Sequence, residues 1–247
     1  MKKACKRIIE EAEKDTFLVL KNNGFINYYK TTEECGISFG GSLFSPFELD
    51  FLYSGEYYIK VSPLIFNEII DFLIENNYNL FDEENINKFL GCISETLNNL
   101  KWNIDNRSNT YSSIYAVENL NLLNTSKILN TTFEITAPTD YINISGSYNV
   151  ASGSNTYFCT ILDSKIVSIC GYNYMGFESV DIGTATNENH RQRGYSVSNV
   201  VSMAKYILNK EKGVFYSCAH TNTASQKTAL SAGFNRIANR YILFCNK

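Results

Sequence analysis

The chain has 247 residues, 22 basic against 25 acidic side chains, a net charge of −3 and 44% apolar residues. That length allows one large domain or two small ones, and the composition excludes a disordered chain. No apolar run approaches the ~18 residues of a membrane span, the basic start Met1-Lys2-Lys3 lacks the apolar stretch of a signal peptide, and a pI of about 5.5 without a dense Lys/Arg stripe argues against a nucleic-acid partner.

Residues 3–22 read as a helix closed by Gly24, with Ile8, Ile9, Ala12 and Leu20 on an apolar stripe. The glycines and serines of 36–46 mark a loop, and 56–61 reads as a strand. Ser62-Pro63 then opens a helix, since proline suits a first helical turn. Ile65, Ile69, Phe72 and Leu73 follow at helical spacing. A second helix fits 83–100, with Ile86, Phe89, Leu90, Ile93 and Leu97 on one face. Residues 101–150 are polar, and a domain boundary is placed inside them near 125. This gives an N-terminal α/β region over 1–125 and a second domain over 126–247.

The last third is clearer. Residues 156–162 read as a strand, Asp163-Ser164 as a two-residue turn and 165–172 as the hairpin partner. Asn173 to Gly176 turn the chain, and 177–186 form a third strand. After a polar loop, 194–210 read as a helix with Val197, Val200, Val201, Ala204, Ile207 and Leu208 on its apolar stripe, ended by Gly213. A strand over 214–219, a helix over 223–232 stopped by Gly233 and a strand over 236–245 complete the order β-β-β-α-β-α-β. The βαβ step from 177 to 219 implies a parallel pair, and the whole reads as an α+β, mixed α/β fold.

Charge is unevenly spread. Residues 1–149 carry 12 basic and 20 acidic side chains, residues 150–247 carry 10 basic and 5 acidic. A positive C-terminal part within an acidic protein suits a phosphate-bearing ligand there. The seven cysteines are odd in number and form no Cys-x-x-Cys, which points to reduced thiols in a cytoplasmic protein. His190 and His220 are the only histidines, and no Cys/His cluster suggests a metal.

Two segments carry chemistry. Arg191-Gln192-Arg193-Gly194-Tyr195-Ser196 lies between a predicted strand and a predicted helix. Gly194 permits close backbone approach, the helix N-terminus presents unpaired N–H groups, and Arg191 and Arg193 add charge for the same anion. An exposed basic helix start explains the hexapeptide alone equally well. In the second segment, Asn222 to Ser225 followed by Gly233-Phe234, Asn222 can cap the next helix and also offer its amide to a ligand.

Taken together, DIGTATNENHRQRGYS and YSCAHTNTASQKTALSAGF resemble the acyl-CoA-binding core of the GCN5-related N-acetyltransferase (GNAT) superfamily over residues 150–247. The family loop, Arg/Gln-x-x-Gly-x-Gly/Ala, is matched with Ser196 in its last place. The family's Asn-x-x-Ser/Ala with a later Gly-Phe is matched by Asn222, Ser225 and Gly233-Phe234. The ending is similar to that of a Firmicutes branch with an extra N-terminal region. The resemblance implies a mixed central sheet flanked by helices, and acetyl-CoA as cosubstrate without a metal. Backbone groups of Thr184, Ala185 and Thr186 on a splayed strand would then bond the pantetheine arm. Loop residues Arg191, Gln192, Arg193, Gly194, Tyr195 and Ser196 would hold the pyrophosphate, and Asn222 would contact the pantetheine or acetyl region.

Amide transfer needs a polarised thioester carbonyl, a base for the ammonium and an acid for the leaving thiolate. Asp181 and Glu178 are the candidate bases; three residues apart on a strand, they point to opposite faces. The acid is a Tyr seven residues after the motif Asn in many family members. Here that position is Ala229, leaving Tyr216, Tyr195 or water. The expected function is N-acetyl transfer to a primary amine of a small molecule or peptide, the acceptor being set by the N-terminal region and by loops without motif. The alternative is an inactive GNAT-like acyl-CoA-binding or interaction module, favoured by Ala229. A cysteine hydrolase built on Cys218 and His220 is a third, thinner reading. A homodimer is left open.

Overall fold

The computed structural model describes residues 16–22, 26–31, 37–38, 43–53, 57–76, 83–105, 111–136, 154, 156–175 and 179–247. They divide into two compact units. One is Ser113–Ile237; the other joins the described residues up to Ser112 to Ala238–Lys247. The expected boundary near 125 thus lies inside the first of these, and the last ten residues fold with the N-terminal part.

The N-terminal unit contains strands β1 (Thr16–Asn22), β2 (Ile26–Thr31), β3 (Ile37–Ser38), β4 (Leu43–Leu52) and β5 (Tyr57–Val61), helices α1 (Phe66–Glu75) and α2 (Glu83–Asn99), and strand β6 (Asn103–Ile104). The chain's final strand, β13 (Asn235–Asn246), completes it, giving the sheet order β1-β2-β5-β4-β13. Residues 16–22 are therefore a strand where the sequence predicts a helix; residues 3–15 lie outside the described residues. Thr16, Phe17 and Val19 favour a strand, and β1 pairs antiparallel with β2. The predicted loop over 36–46 gives way to β3 and the start of β4. Pro63 precedes rather than opens α1: the Ser62 hydroxyl accepts from the Leu64 N–H at 3.2 Å, and the helix begins at Phe66.

Alternation along β4 explains both faces of that sheet. Phe47 and Leu49 join Ile59, Val61, Ile69, Leu73, Phe89 and Tyr241 in a core beneath α1 and α2. Glu48 and Asp50 face the other way and are buried as well. Arg240 on β13 meets both acids: its Nε lies 2.6 Å from Asp50 Oδ1 and 2.9 Å from Glu48 Oε1, and its Nη2 donates to Asp50 Oδ2 at 2.8 Å. Burial works to raise the Glu48 carboxyl, but Arg240 and Lys60 outweigh it and lower it; for Asp50 burial wins and the carboxyl is raised. Removing one partner of such a pair costs about 3–5 kcal/mol, so β13 is tied to β4 by charge as well as by its ladder from Ala238↔Leu52 to Asn246↔Leu43.

The second unit contains β7 (Tyr111–Val117, from Ser113 on), β8 (Thr132–Ile135), β9 (Tyr157–Leu162), β10 (Lys165–Met175), β11 (Ser179–Thr186), helix α3 (Tyr195–Leu208), β12 (Gly213–Ala219) and helix α4 (Thr223–Ala232). Strand order is β7-β12-β11-β10-β9-β8. The β9–β10 and β10–β11 pairs are antiparallel and β11–β12 is parallel, as the sequence predicts. Asp163 and Ser164 both have positive φ, 48° and 60°, the signature of a tight two-residue hairpin turn. β10 continues to Met175 through a bulge between Tyr172 and Tyr174, past the turn expected at Asn173. Helix α3 ends at Leu208, before Gly213, which instead opens β12.

Val180, Ile182, Val200, Val201, Met203, Ala204, Ile207, Val214, Tyr216 and Phe234 form the core under α3 and α4. The fold is mixed α/β, with sheet strands covered by helices. Gly233 closes α4 at φ 100°, and a Cβ there would lie 2.1 Å from the Leu122 carbonyl oxygen. Left-handed strain and overpacking add, so Gly233→Ala is expected to lower stability by about 2–5 kcal/mol in denaturant melts. A smaller change would show that the Leu120–Leu122 turn yields freely.

Candidate active site

The parallel register between β11 and β12 runs from Ser179↔Gly213 to Ile182↔Tyr216, while β11 continues to Thr186 and β12 to Ala219. Over that continuation β11 keeps β10 on one side, with Thr184↔Cys170, Ala185↔Ile169 and Thr186↔Ser168. Its other backbone edge leaves the ladder, and backbone groups off a ladder need other partners. Thr184, Ala185 and Thr186, the residues expected to serve pantetheine, are all half-buried at this edge. The Thr186 carbonyl accepts a long bond, 3.4 Å, from Arg191 Nε, and the Thr184 hydroxyl donates to the Ile169 carbonyl at 2.8 Å.

The strand leads into the loop in a few residues. Asn187 caps a 3-10 turn over Glu188–His190, its side chain accepting from the Asn189 N–H at 3.0 Å. Gln192 then takes φ 62° and Gly194 φ 81°. Gly194 is the N-cap of α3, no side chain caps that end, and the first backbone bond into the helix is Ser198 N–H to the Gly194 carbonyl at 3.0 Å. An uncapped helix start leaves its first N–H groups pointing outward with a partial positive charge. A Cβ on Gly194 would meet nothing within 4 Å, so the space beside this residue is open. Arg191 and Arg193 are exposed beside it; Arg193 Nη2 reaches the Asn189 carbonyl at 3.4 Å. Tyr195 and Ser196 are half-buried in the first turn.

Asn222 caps α4, its Oδ1 accepting from the Ser225 N–H at 3.1 Å. Its oxygen is thereby engaged by the helix, and the amide nitrogen can serve as a donor to a ligand. Asp181 lies one position before the end of the parallel register. Its neighbours Val180 and Ile182 are buried under the helices, so Asp181 faces the opposite side of the sheet. There its Oδ1 accepts from the Ser217 hydroxyl at 3.3 Å. Glu178 lies outside the described residues.

Ala229 is fully buried in the core under α4 and offers no hydroxyl. Tyr216 sits at the last paired position, also buried. Burial pushes its phenol well above the ordinary value, against the pull of its hydrogen bond to Ser225. The Cys218–His220 pairing does not form. His220 Nδ1 is held by the Ser113 hydroxyl at 3.1 Å and by Arg236 Nη2 at 3.0 Å, and burial raises the Cys218 thiol. Burial also pushes Cys159 and Cys245 up to about 12, the behaviour of thiols serving as core residues. Among the described residues no group of His, Cys, Asp and Glu is arranged to hold a metal, and no helix is long and apolar enough to cross a membrane.

Sequence reading missed the polar residues behind the loop: Ser168, Asn199, Thr160 and Thr132. Their signal was present, since Ser198-Asn199 interrupts an otherwise apolar helix face and polar side chains at core positions need built partners.

No family model matches the chain. Over 57 residues it is 37% identical to an uncharacterized N-acetyltransferase, YjdG, of Bacillus subtilis (strain 168); the match spans 22% of this chain and 34% of that protein. The fold is similar to the crystal structure of a functionally unknown conserved protein from Staphylococcus epidermidis, at 13% identity, a TM-score of 0.46 and coverage of 80% of this chain and 87% of that one. A GCN5-related N-acetyltransferase-like protein from Streptococcus suis gives 12% identity, a TM-score of 0.45 and coverage of 63% and 68%.

Proposed function

We propose that this chain is an acetyl-CoA-dependent N-acetyltransferase of the GNAT superfamily, a cytoplasmic enzyme that acts on the primary amine of a small molecule or peptide. In this reading the N-terminal unit is the extra region of a Firmicutes-type branch. The observation that carries it is the continuity of β11: the strand leaves its parallel partner after Ile182 and runs into an uncapped helix N-terminus flanked by two arginines. A strand edge off its ladder suits the amide-bearing pantetheine arm, and the helix start suits the diphosphate. The acyl group then lies near Ile182↔Tyr216, where the strands part, with Asp181 one residue away to take the ammonium proton.

The geometry also supports a second reading, an acyl-CoA-binding module without turnover. Ala229 supplies no acid, and the Tyr216 phenol is buried and holds its proton. In an active enzyme the thiolate would be protonated by water or Tyr195. Thiol release from acetyl-CoA across an amine library separates the readings: release with any amine supports transfer, whereas tight coenzyme A binding with no release supports the module.

The two arginines give a direct test of the diphosphate assignment. Each Arg→Ala change at Arg191 or Arg193 is expected to weaken coenzyme A binding by roughly 1–3 kcal/mol, the scale of a charge-assisted hydrogen bond. The difference should shrink as salt rises, because both side chains are exposed. A double variant with the parent's affinity at low and high salt would remove the arginines from the site.

A further inference from the structure

Behind the loop runs a chain of polar side chains that the transfer chemistry does not use. Asn199 is fully buried in α3. Its Oδ1 accepts from the Thr132 hydroxyl at 3.3 Å and the Thr160 hydroxyl at 3.2 Å, and its Nδ2 donates to Ser168 Oγ at 3.0 Å. An amide nitrogen can only donate, so the Ser168 oxygen accepts there and its own proton is directed elsewhere. Thr186 Oγ1 is 2.7 Å away and the Ala185 carbonyl 3.2 Å. Thr186 Oγ1 in turn stands 2.6 Å from Ser196 Oγ, in the first turn of α3.

Ser168 can give its proton to the Ala185 carbonyl or to Thr186, and the two senses of the chain differ at its far end. An anion at the helix start selects the second sense: Ser168 donates to Thr186, Thr186 donates to Ser196, and the Ser196 proton points away from the chain toward the anion, each bond polarising the next. We propose that Asn199 is a positioning residue which, through Ser168 and Thr186, turns the Ser196 hydroxyl outward as a donor to the diphosphate of coenzyme A. This rests on the reading of the loop as the coenzyme A site, and it adds a donor set by a buried amide one turn further along α3.

The test compares coenzyme A with pantetheine, which lacks the diphosphate, using calorimetry for the first and a ligand-observed NMR titration for the second. Ser196→Ala and Thr186→Val should each weaken coenzyme A binding about tenfold, as for a lost hydrogen bond to a charged group, and Ser196→Ala should leave pantetheine binding unchanged. Ser168→Ala should act in the same direction, and the Ser168→Ala/Ser196→Ala pair should be no weaker than Ser196→Ala alone, because one relay is being cut twice. Asn199→Asp removes the only fixed donor and lets Ser168 donate inward, so coenzyme A should bind at least as weakly as in Ser196→Ala. Should that variant unfold, the hydroxyl variants still decide the matter. Parent-like coenzyme A affinity in Ser196→Ala and Thr186→Val overturns the relay alone. So does an equal loss for both ligands in Ser196→Ala, the mark of a merely structural role. A parent protein that binds no coenzyme A overturns the site reading and the relay with it.

Discussion

Asp181→Asn is expected to lower acetyl-CoA-dependent turnover by about 10²–10⁴-fold, the usual size of a general-base contribution, while leaving coenzyme A affinity nearly intact. An alkylammonium acceptor titrates near 10, so at neutral pH almost all of it carries a proton that must be removed before its nitrogen can attack. Asp181 stands beside the last paired position of β11 and β12, on the sheet face away from α3 and α4, with the Ser217 hydroxyl on one oxygen. The carboxylate can receive the ammonium proton directly or through water. Glu178→Gln, at the other candidate carboxylate three residues upstream, is expected to change turnover little. The defect of Asp181→Asn should narrow as pH rises, because solvent takes over deprotonation as the amine approaches its own pKa. If both amide variants keep full activity from about pH 6 to 9, neither carboxylate is the base, and catalysis rests on positioning and thioester polarisation.

Gly194→Val is expected to weaken coenzyme A binding by about 100-fold or more with a modest loss of stability. Two effects combine at this residue. Its φ of 81° is one that a β-branched side chain adopts only under strain, about 1–3 kcal/mol. No protein atom lies within 4 Å of a Cβ at this position, so the new methyl groups would extend into the open space beside the proposed diphosphate site. Folding therefore meets only the strain, and the ligand meets the bulk. Gly194→Ala should fall between parent and valine variant in isothermal calorimetry. Parent-like affinity of the valine variant would move the coenzyme A site away from residues 191–196.

Much of the second unit was legible in the sequence because its signals are local. The Asp163-Ser164 turn, the apolar run along 157–162, the stripe of Val197, Val200, Val201 and Ala204, and the Gly233 stop each depend on residues within one or two turns of chain. The loop at 191–196 was legible for the same reason, since a glycine between a strand and a helix declares its backbone needs. The first unit was less so. Residues 16–22 have the content of either element, and the antiparallel partner at 26–31 decides for the strand. β4 was hidden because its second face is acidic: Glu48 and Asp50 read as surface residues until Arg240, distant in sequence, is placed against them.

The sequence by itself determined the order of elements from residue 157 onward, the parallel step between β11 and β12, and the residue types gathered at the loop, all consequences of periodicity and backbone freedom. Only the tertiary structure decided where the chain divides. Ala238–Asn246 continues a strand begun with Asn235, yet its ladder partner is Leu43–Leu52, and no local pattern encodes a pairing across that span of chain. The tertiary structure also decided that Asn199, Ser168, Thr186 and Ser196 form one hydrogen-bonded line, because a buried amide acquires its partners only when helix and sheet are packed together.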